Sequence, residues 1–296
     1  MRVGFIGIGN MGFGMAAHLL EQHWPVAVRD IDPRREAQAA DLGAGVVETP
    51  SMLAARCDCV IVAVVDAAQT QEVLFGAEGV APTMPAGSAV MLCPTIAPAD
   101  TERFAAGLAE RGIACIDAPM SGGPLRARDG SMSLMVACDD AVFSSCRGLI
   151  DALSTQVFRI SQRPGDGART KLVNNLLAGI NLAGAAEALA LAERIGLDPG
   201  RTLDVIEQSS GQSWIGSDRM RRAIAGDLAP RARGAAGQGH APGNADGGRG
   251  GVRHCLGSAG CGAVCTCLCS RARWPGRRES AATSVASRRP AALASL

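Results

Sequence analysis

Residues Val3–Gly12 read VGFIGIGNMG, an apolar run that closes in G-x-G-x-x-G and passes at once into helical periodicity through Met11, Met15, Leu19 and Leu20. A strand can turn this abruptly into a helix only where side chains are missing. The three glycines serve a tight turn, close backbone approach to a ligand, and close helix–sheet packing. The helix that begins there presents free amides and the positive end of its dipole, which suits a pyrophosphate. Alone the pattern is weak, and its context decides. Here Val26–Arg29 reads as a second short strand, and Asp30 stands at its end, 18 residues after Gly12. A carboxylate in that place can bind the 2′-hydroxyl of an adenosine ribose and repels a 2′-phosphate, which favours NAD. Arg29 and Arg34 could meet such a phosphate, so NADP stays open. Asp30 can also be read as an ordinary turn acid or helix cap.

The rest of the chain extends the same alternation. Pro33 opens a helix through Gly43, Val46-Val47 is a third strand, and Cys59–Val65 is an unbroken β-branched run fit for a central parallel strand. Helices at Ala67–Phe75 and Pro98–Arg111 alternate with strands at Ala89–Cys93 and Ala114–Asp117. Strands at Leu134–Cys138 and Gln156–Ile160 flank a helix near Asp140–Leu153. This is the pattern of an α/β doubly wound parallel sheet. Asp166–Ile195 then runs about 30 residues without proline, a helix of order 45 Å. Its small residues Ala178, Gly179 and Ala183–Ala186 allow close packing against further helices at Pro199–Ser209 and Ser217–Ala225. The expected organisation is a nucleotide-binding domain over 1–164, with a boundary near Gly165. The long helix and the start of a helical domain follow over 165–230.

From residue 231 the periodicity stops. The formal net charge of +1 conceals a split: residues 1–228 carry 19 basic and 26 acidic side chains, and 229–296 carry 10 arginines against Asp246 and Glu279. The last segment also holds 12 glycines and five of the 11 cysteines. Segment 231–296 therefore reads as a disordered basic tail or as out-of-frame translation of a GC-rich gene. Its Cys261-x3-Cys265-x-Cys267-x-Cys269 matches no common metal-ligand spacing, and no metal is expected. Neither nucleic acid nor membrane is expected as a partner. No apolar run approaches the roughly 20 residues of a membrane helix, and no secretory signal precedes Val3. Cys57, Cys59, Cys93, Cys115, Cys138 and Cys146 sit mostly in apolar runs and read as reduced thiols of a cytoplasmic protein.

Two further places carry chemistry. Asp117-Ala-Pro-Met-Ser121-Gly122-Gly123 follows the sixth strand, where open α/β sheets bind ligands. Its small residues bare backbone amides that can hold a carboxylate, and Ser121 adds a hydroxyl. Lys171 and Asn175 lie four residues apart, on one helix face. A lysine with an amide one turn away suits general acid/base work. The alternative is a solvated helix lysine. Lys171 is nevertheless the only lysine beside 28 arginines.

Together these segments resemble the β-hydroxyacid dehydrogenase family, which includes 3-hydroxyisobutyrate dehydrogenase. GFIGIGNMGFGMAAHLL, Pro94-Thr-Ile-Ala-Pro98, DAPMSGG and Lys171-Leu-Val-Asn-Asn175 fall in that family's order over residues 1–232. DAAQTQEVLFGAEGVA and Gly211-Gln-Ser-Trp214 look most like its L-threonate branch. The resemblance implies a Rossmann-type doubly wound sheet, a long interdomain helix and an all-helical second domain, here incomplete. It implies hydride transfer between NAD(P) and a small 3-hydroxy carboxylate, with Lys171 as general acid/base. Ser121, Gly122, Gly123 and Asn175 would hold the substrate. Gly7, Gly9, Asn10, Met11, Gly12, Asp30, Val64, Val65 and Thr95 would hold the cofactor. A homo-oligomer is implied for the family, though the tail would interfere with it. Pro94 stands where the family usually has Ser. The family's C-terminal Lys-Asp motif should fall near 238–242, which read Gln-Gly-His-Ala-Pro. The alternatives are a semialdehyde reductase of the same superfamily, or a catalytically impaired dinucleotide-binding protein.

Overall fold

The computed structural model describes residues 1–227. Its first half alternates strand and helix: β1 (Val3–Ile6), α1 (Asn10–Glu21), β2 (Val26–Arg29), α2 (Pro33–Asp41), β3 (Gly45–Val46) and α3 (Pro50–Ala54). Then come β4 (Cys59–Val62), α4 (Ala67–Phe75), β5 (Ala89–Leu92), α5 (Pro98–Ala109) and β6 (Ala114–Asp117). Side chains start the helices where the chain leaves the sheet. Asp32 accepts from the Arg34 amide, Thr49 from Met52 and Asp66 from Gln69, each satisfying a donor that the helix itself cannot.

The strands lie in the order β3-β2-β1-β4-β5-β6, all parallel. The order reverses between β1 and β4, which opens a crevice at the carboxyl ends of those two strands. β1, β4 and β5 are buried throughout, as strands covered on both faces must be. Alternate residues serve opposite faces. Phe5, Ile61, Met91 and Ile116 pack with Met15 and Leu19 of α1. Val60, Val62, Val90 and Leu92 pack with Leu53, Leu74, Phe104 and Leu108 on the other side.

The sheet then departs from a purely parallel plan. β7 (Met120–Ser121) and α6 (Gly123–Arg128) precede β8 (Ser133–Ala137), and β8 runs antiparallel to both β6 and β7. The physical reason is the short connection: α6 has six residues, about 9 Å, too short a crossover to carry the chain back for a parallel strand. It packs on α1, where a Cβ on Gly14 would stand 3.0 Å from the Cβ of Ala127. The helix expected near 140–153 is divided at Cys146 into α7 (Asp140–Ser145) and α8 (Arg147–Leu153), and β9 (Gln156–Ser161) pairs parallel to β8.

α9 (Asp166–Arg194) is a single helix of 29 residues, about 44 Å long. It contacts α5, β8 and β9 near its start, and α10 (Pro199–Glu207) and α11 (Trp214–Ile224) toward its end. α11 begins three residues earlier than the apolar pattern suggests, because the Ser213 hydroxyl accepts from the Gly216 amide at 3.2 Å. Ala186, Leu189, Leu203 and Met220 form the small core of this half. The expected close packing of small residues holds at Gly216, where a Cβ would lie 3.1 Å from Ala185. It fails at Gly184, which faces open space. By length and composition α9 is also apolar enough to cross a membrane, contrary to the expectation that no run approaches that length, because its few charged residues lie near its two ends. The six cysteines of the described residues are all free and buried. The readings of segment 231–296, its metal spacing and the 238–242 motif lie outside the described residues.

Candidate functional site

The glycine turn is built as its spacing requires. Gly7 has φ +86°, and a Cβ there would stand 2.9 Å from the backbone of Ala63. A Cβ on Gly12 would overlap the carbonyl oxygen of Gly7. Gly9 is different: a Cβ there would meet nothing within 4 Å, so the space above it is open. Gly9 is also the residue preceding α1, with no side-chain cap and no acid in the helix's first turn. Exposed Asn10 and half-buried Met11 follow. An open helix N-terminus with no cap and no acid in its own first turn, beside a close-packed glycine turn, fits the pyrophosphate of a dinucleotide.

Asp30 closes the far side of this cradle. Its carboxylate accepts from the Ile8 amide at 2.6 Å and from the Asp32 amide at 2.9 Å, which ties the glycine turn to the end of β2. A carboxylate has about four acceptor positions, so ribose hydroxyls still find sites on it. The two arginines that could favour a 2′-phosphate already have acids: Arg29 pairs with Glu36 at 2.7 Å, and Arg34 with Asp32 at 3.0 Å. Arg35 donates to the Asn10 side chain at 2.9 Å. At the carboxyl end of β4 the expected strand stops three residues short, at Val62. Half-buried Val64 and exposed Val65 leave the sheet. At the end of β5, Pro94 is buried and Thr95 is exposed. The turn, Asp30, Val64, Val65 and Thr95 thus share one edge of the parallel sheet, on both sides of the point where its order reverses.

Asp117 ends β6 on the same edge. It is 2% exposed, and its carboxylate accepts from the amides of Gly165 at 2.7 Å and Ala168 at 3.1 Å. These amides open α9, whose own preceding residue, Gly165, has no side chain to cap them. Burial pushes the Asp117 carboxyl up to about 6, although backbone donors of Gly165, Gly167 and Ala168 oppose the rise. A Cβ on Gly167 would press on this carboxylate at 2.9 Å. Asp117 therefore pins the long helix, and the Lys171 it carries, to the strand end from which the Ser121–Gly123 turn departs. The sequence marked Asp117 as the opening of a motif; its partners, 48 and 51 residues away, left no local signal.

Ser121 and Gly122 border a cleft of about 420 Å³. Ser121 faces Ser133 across the β7–β8 pair, and both line the cleft with Thr170 and Asn174 of α9. Phe158, Ile160, Met135 and Trp214 supply apolar walls, and Arg126 supplies a cation. Gly122 and Gly123 have φ +130° and +80°, a backbone that bends the chain sharply into α6. Lys171 is buried at 7% exposure and Asn175 half-buried. Both sit one residue further along α9 than Thr170 and Asn174, and neither lines the cleft. Arg126, Ser133, Phe158 and Asn174 were missed from the sequence. The signal for Trp214 was its place in Gly211-Gln-Ser-Trp214, and for Asn174 its adjacency to Asn175.

Comparison with known proteins agrees with this geometry. Residues 2–161 match the family model described as the NAD binding domain of 6-phosphogluconate dehydrogenase. Residues 165–235 match the one described as NAD-binding of NADP-dependent 3-hydroxyisobutyrate dehydrogenase. An L-threonate dehydrogenase from Cupriavidus necator is 40% identical over 228 residues, 77% of this chain and 77% of that protein. The crystal structure of 3-hydroxyisobutyrate dehydrogenase from Salmonella typhimurium superposes with a TM-score of 0.73 at 38% identity. The match covers 78% of this chain and 81% of that one. A protein solved in complex with NADP+ and 2-OPP gives a TM-score of 0.72 at 28% identity, over 76% and 79% of the two chains.

Proposed function

This chain belongs to the 3-hydroxyisobutyrate dehydrogenase-like β-hydroxyacid dehydrogenases, and from that premise we propose how its own residues divide the work on a small 3-hydroxy carboxylate. As a member it is an NAD(P)-dependent oxidoreductase. Of the two cofactors NAD is the better fit, since a carboxylate at Asp30, after the second strand, would repel a 2′-phosphate and Arg29 and Arg34 are engaged with acids. Bound nicotinamide supplies the hydride acceptor, and the hydride comes from the carbon that bears the hydroxyl. Gly7, Gly9 and Gly12 hold the pyrophosphate against α1, and Val64, Val65 and Thr95 border the nicotinamide side. Ser121 and the amides of Gly122 and Gly123 hold the substrate carboxylate. Lys171 and Asn175 stand one residue along α9 from the cleft-lining Thr170 and Asn174, so the reading requires the substrate hydroxyl to lie on their side of the helix; there Lys171 takes the hydroxyl proton on Nζ as the carbonyl forms and returns it in the reverse direction, and Asn175 orients the hydroxyl. L-threonate and 3-hydroxyisobutyrate head the substrate candidates, since relatives bear those names. The six buried free thiols among the described residues suit a reducing compartment such as the cytoplasm.

The observation that carries this reading is the Asp117 joint. It ties the dinucleotide half to the helix bearing Lys171 through two backbone hydrogen bonds. The test is turnover of a panel of 3-hydroxy acids and semialdehydes with NAD and with NADP, for the natural chain and for Lys171→Ala. Loss of a general acid/base costs about 10²–10⁴-fold, with dinucleotide binding preserved. A Lys171→Ala protein of near-normal kcat overturns the assignment. One observation favours a second reading: residues 238–242 read Gln-Gly-His-Ala-Pro where the family resemblance calls for Lys-Asp. Tight NAD binding without turnover of any panel member would make this a dinucleotide-binding protein with an impaired active site.

A further inference from the structure

We propose that Arg126 is a substrate-binding residue, the counter-ion of the substrate carboxylate in the Ser121–Gly122 cleft, and that the ring of Trp214 holds its guanidinium in place. This deepens the dehydrogenase reading and rests on it for the identity of the ligand. Three observations support it. The stem of Arg126 runs across the Ser-Gly-Gly turn, since a Cβ on Gly122 would stand 2.8 Å from Arg126 Cδ. Its guanidinium carbon lies 5.0 Å from the centre of the Trp214 ring, within cation–π range. That contact joins α6, which follows the turn, to the first residue of α11, in the helical half.

The third observation is electrostatic. Arg128, two residues along, pairs with Glu21, and Arg29 and Arg34 pair with Glu36 and Asp32. Among the described residues the Arg126 guanidinium makes no hydrogen bond and no close ion pair; the Trp214 ring lies against it, and Asp129, near enough to feel its charge, accepts its hydrogen bonds from Ser131 instead. A half-buried cation facing a cleft lined by the Ser121 and Ser133 hydroxyls fits an anionic ligand. The planar guanidinium fork matches a carboxylate with two parallel hydrogen bonds. A carboxylate set on the Ser121 hydroxyl and the Gly122 amide lies beside that fork. Arg126 thus makes the cleft choose acids over their esters or amides, while Phe158 and Trp214 receive the carbon chain.

The test is calorimetric titration of the full chain, loaded with NAD+, with L-threonate and with its methyl ester. The natural protein should bind the acid and bind the ester far more weakly. Arg126→Met keeps the stem and removes the charge. It should weaken the acid by about tenfold to a hundredfold, the range of a charged hydrogen bond. Affinity for the ester and for NAD+ should stay within about twofold of the natural chain. Arg126→Lys should recover part of the loss, and Trp214→Leu should lose part of the affinity. Equal binding of the acid by Arg126→Met and the natural chain overturns the proposal. So does equal binding of acid and ester by the natural chain, a comparison that needs no variant, or failure of the natural chain to bind the acid. If the natural chain binds the acid, Arg126→Met does not, and nothing is oxidised, the dehydrogenase reading fails while this one stands. If turnover occurs with the same KM in both proteins, this one fails and the dehydrogenase reading stands.

Discussion

Replacing Asp117 by Asn should leave the protein no less stable at neutral pH, and the comparison should change with pH in a defined direction. Asp117 is 2% exposed, and burial moves its carboxyl from an ordinary 3.8 to about 6. Each pKa unit is about 1.4 kcal/mol between the two protonation states. The shift therefore corresponds to about 3 kcal/mol, with no discount for solvent at a side chain this deeply buried. Because the folded value is raised, the contribution of Asp117 is fully present below about pH 4 and is lost as pH rises through about 6. Asn resembles the neutral acid in shape and does not titrate. The stability of the natural chain minus that of Asp117→Asn should thus fall by about 2.4 kcal/mol between pH 4 and pH 7. Urea unfolding of both proteins at several pH values, followed by far-ultraviolet circular dichroism, gives that difference with all other titrations cancelled. Asp117→Ala is the control. It strands two buried amides, at about 1–3 kcal/mol each, and should destabilise at every pH. A flat difference between the natural chain and Asp117→Asn, or one that grows with pH, would show that the amides at the start of α9 outweigh burial and would refute the reasoning.

Asp30→Asn removes the charge that opposes a 2′-phosphate while keeping an acceptor, so the ratio of NADP to NAD affinity should rise about tenfold. Titration with both dinucleotides measures it, and an unchanged ratio sinks the assignment of Asp30. Val173, Leu177 and Ile180 lie on one face of α9 and are 69%, 57% and 59% exposed among the described residues. Covering such side chains is worth about 1.5–3 kcal/mol each. Leu177→Gln with Ile180→Gln should therefore reduce self-association in analytical ultracentrifugation without lowering helix content, and unchanged sedimentation would count against that face as a contact surface.

The parts of the fold that were legible in the sequence are those in which the cause is local. Strand β4 declared itself by consecutive β-branched residues, α9 by its length without proline, and the cradle by glycines whose spacing is set by the turn they make. The proposed substrate side could be read from the sequence as a list of residues, Ser121, Gly122, Gly123, Lys171 and Asn175, and not as a geometry. Thr170 and Asn174, one position earlier on α9, line the cleft instead of Lys171 and Asn175. Helical spacing tells which residues share a face and not where that face points. Arg126 gave no signal, because nothing in its neighbourhood of the chain indicates that Trp214, 88 residues later, lies under its guanidinium.

What the amino-acid order determined by itself was the dinucleotide cradle, since a strand, three glycines and a helix leave the backbone little choice. What tertiary structure alone decided was how α9 meets that cradle. A carboxylate at the end of β6 seeks backbone donors, and which donors it finds depends on sheet order, on the antiparallel return of β8, and on the docking of α6 against α1. Those are long-range packing outcomes, and a short window of sequence carries no record of them.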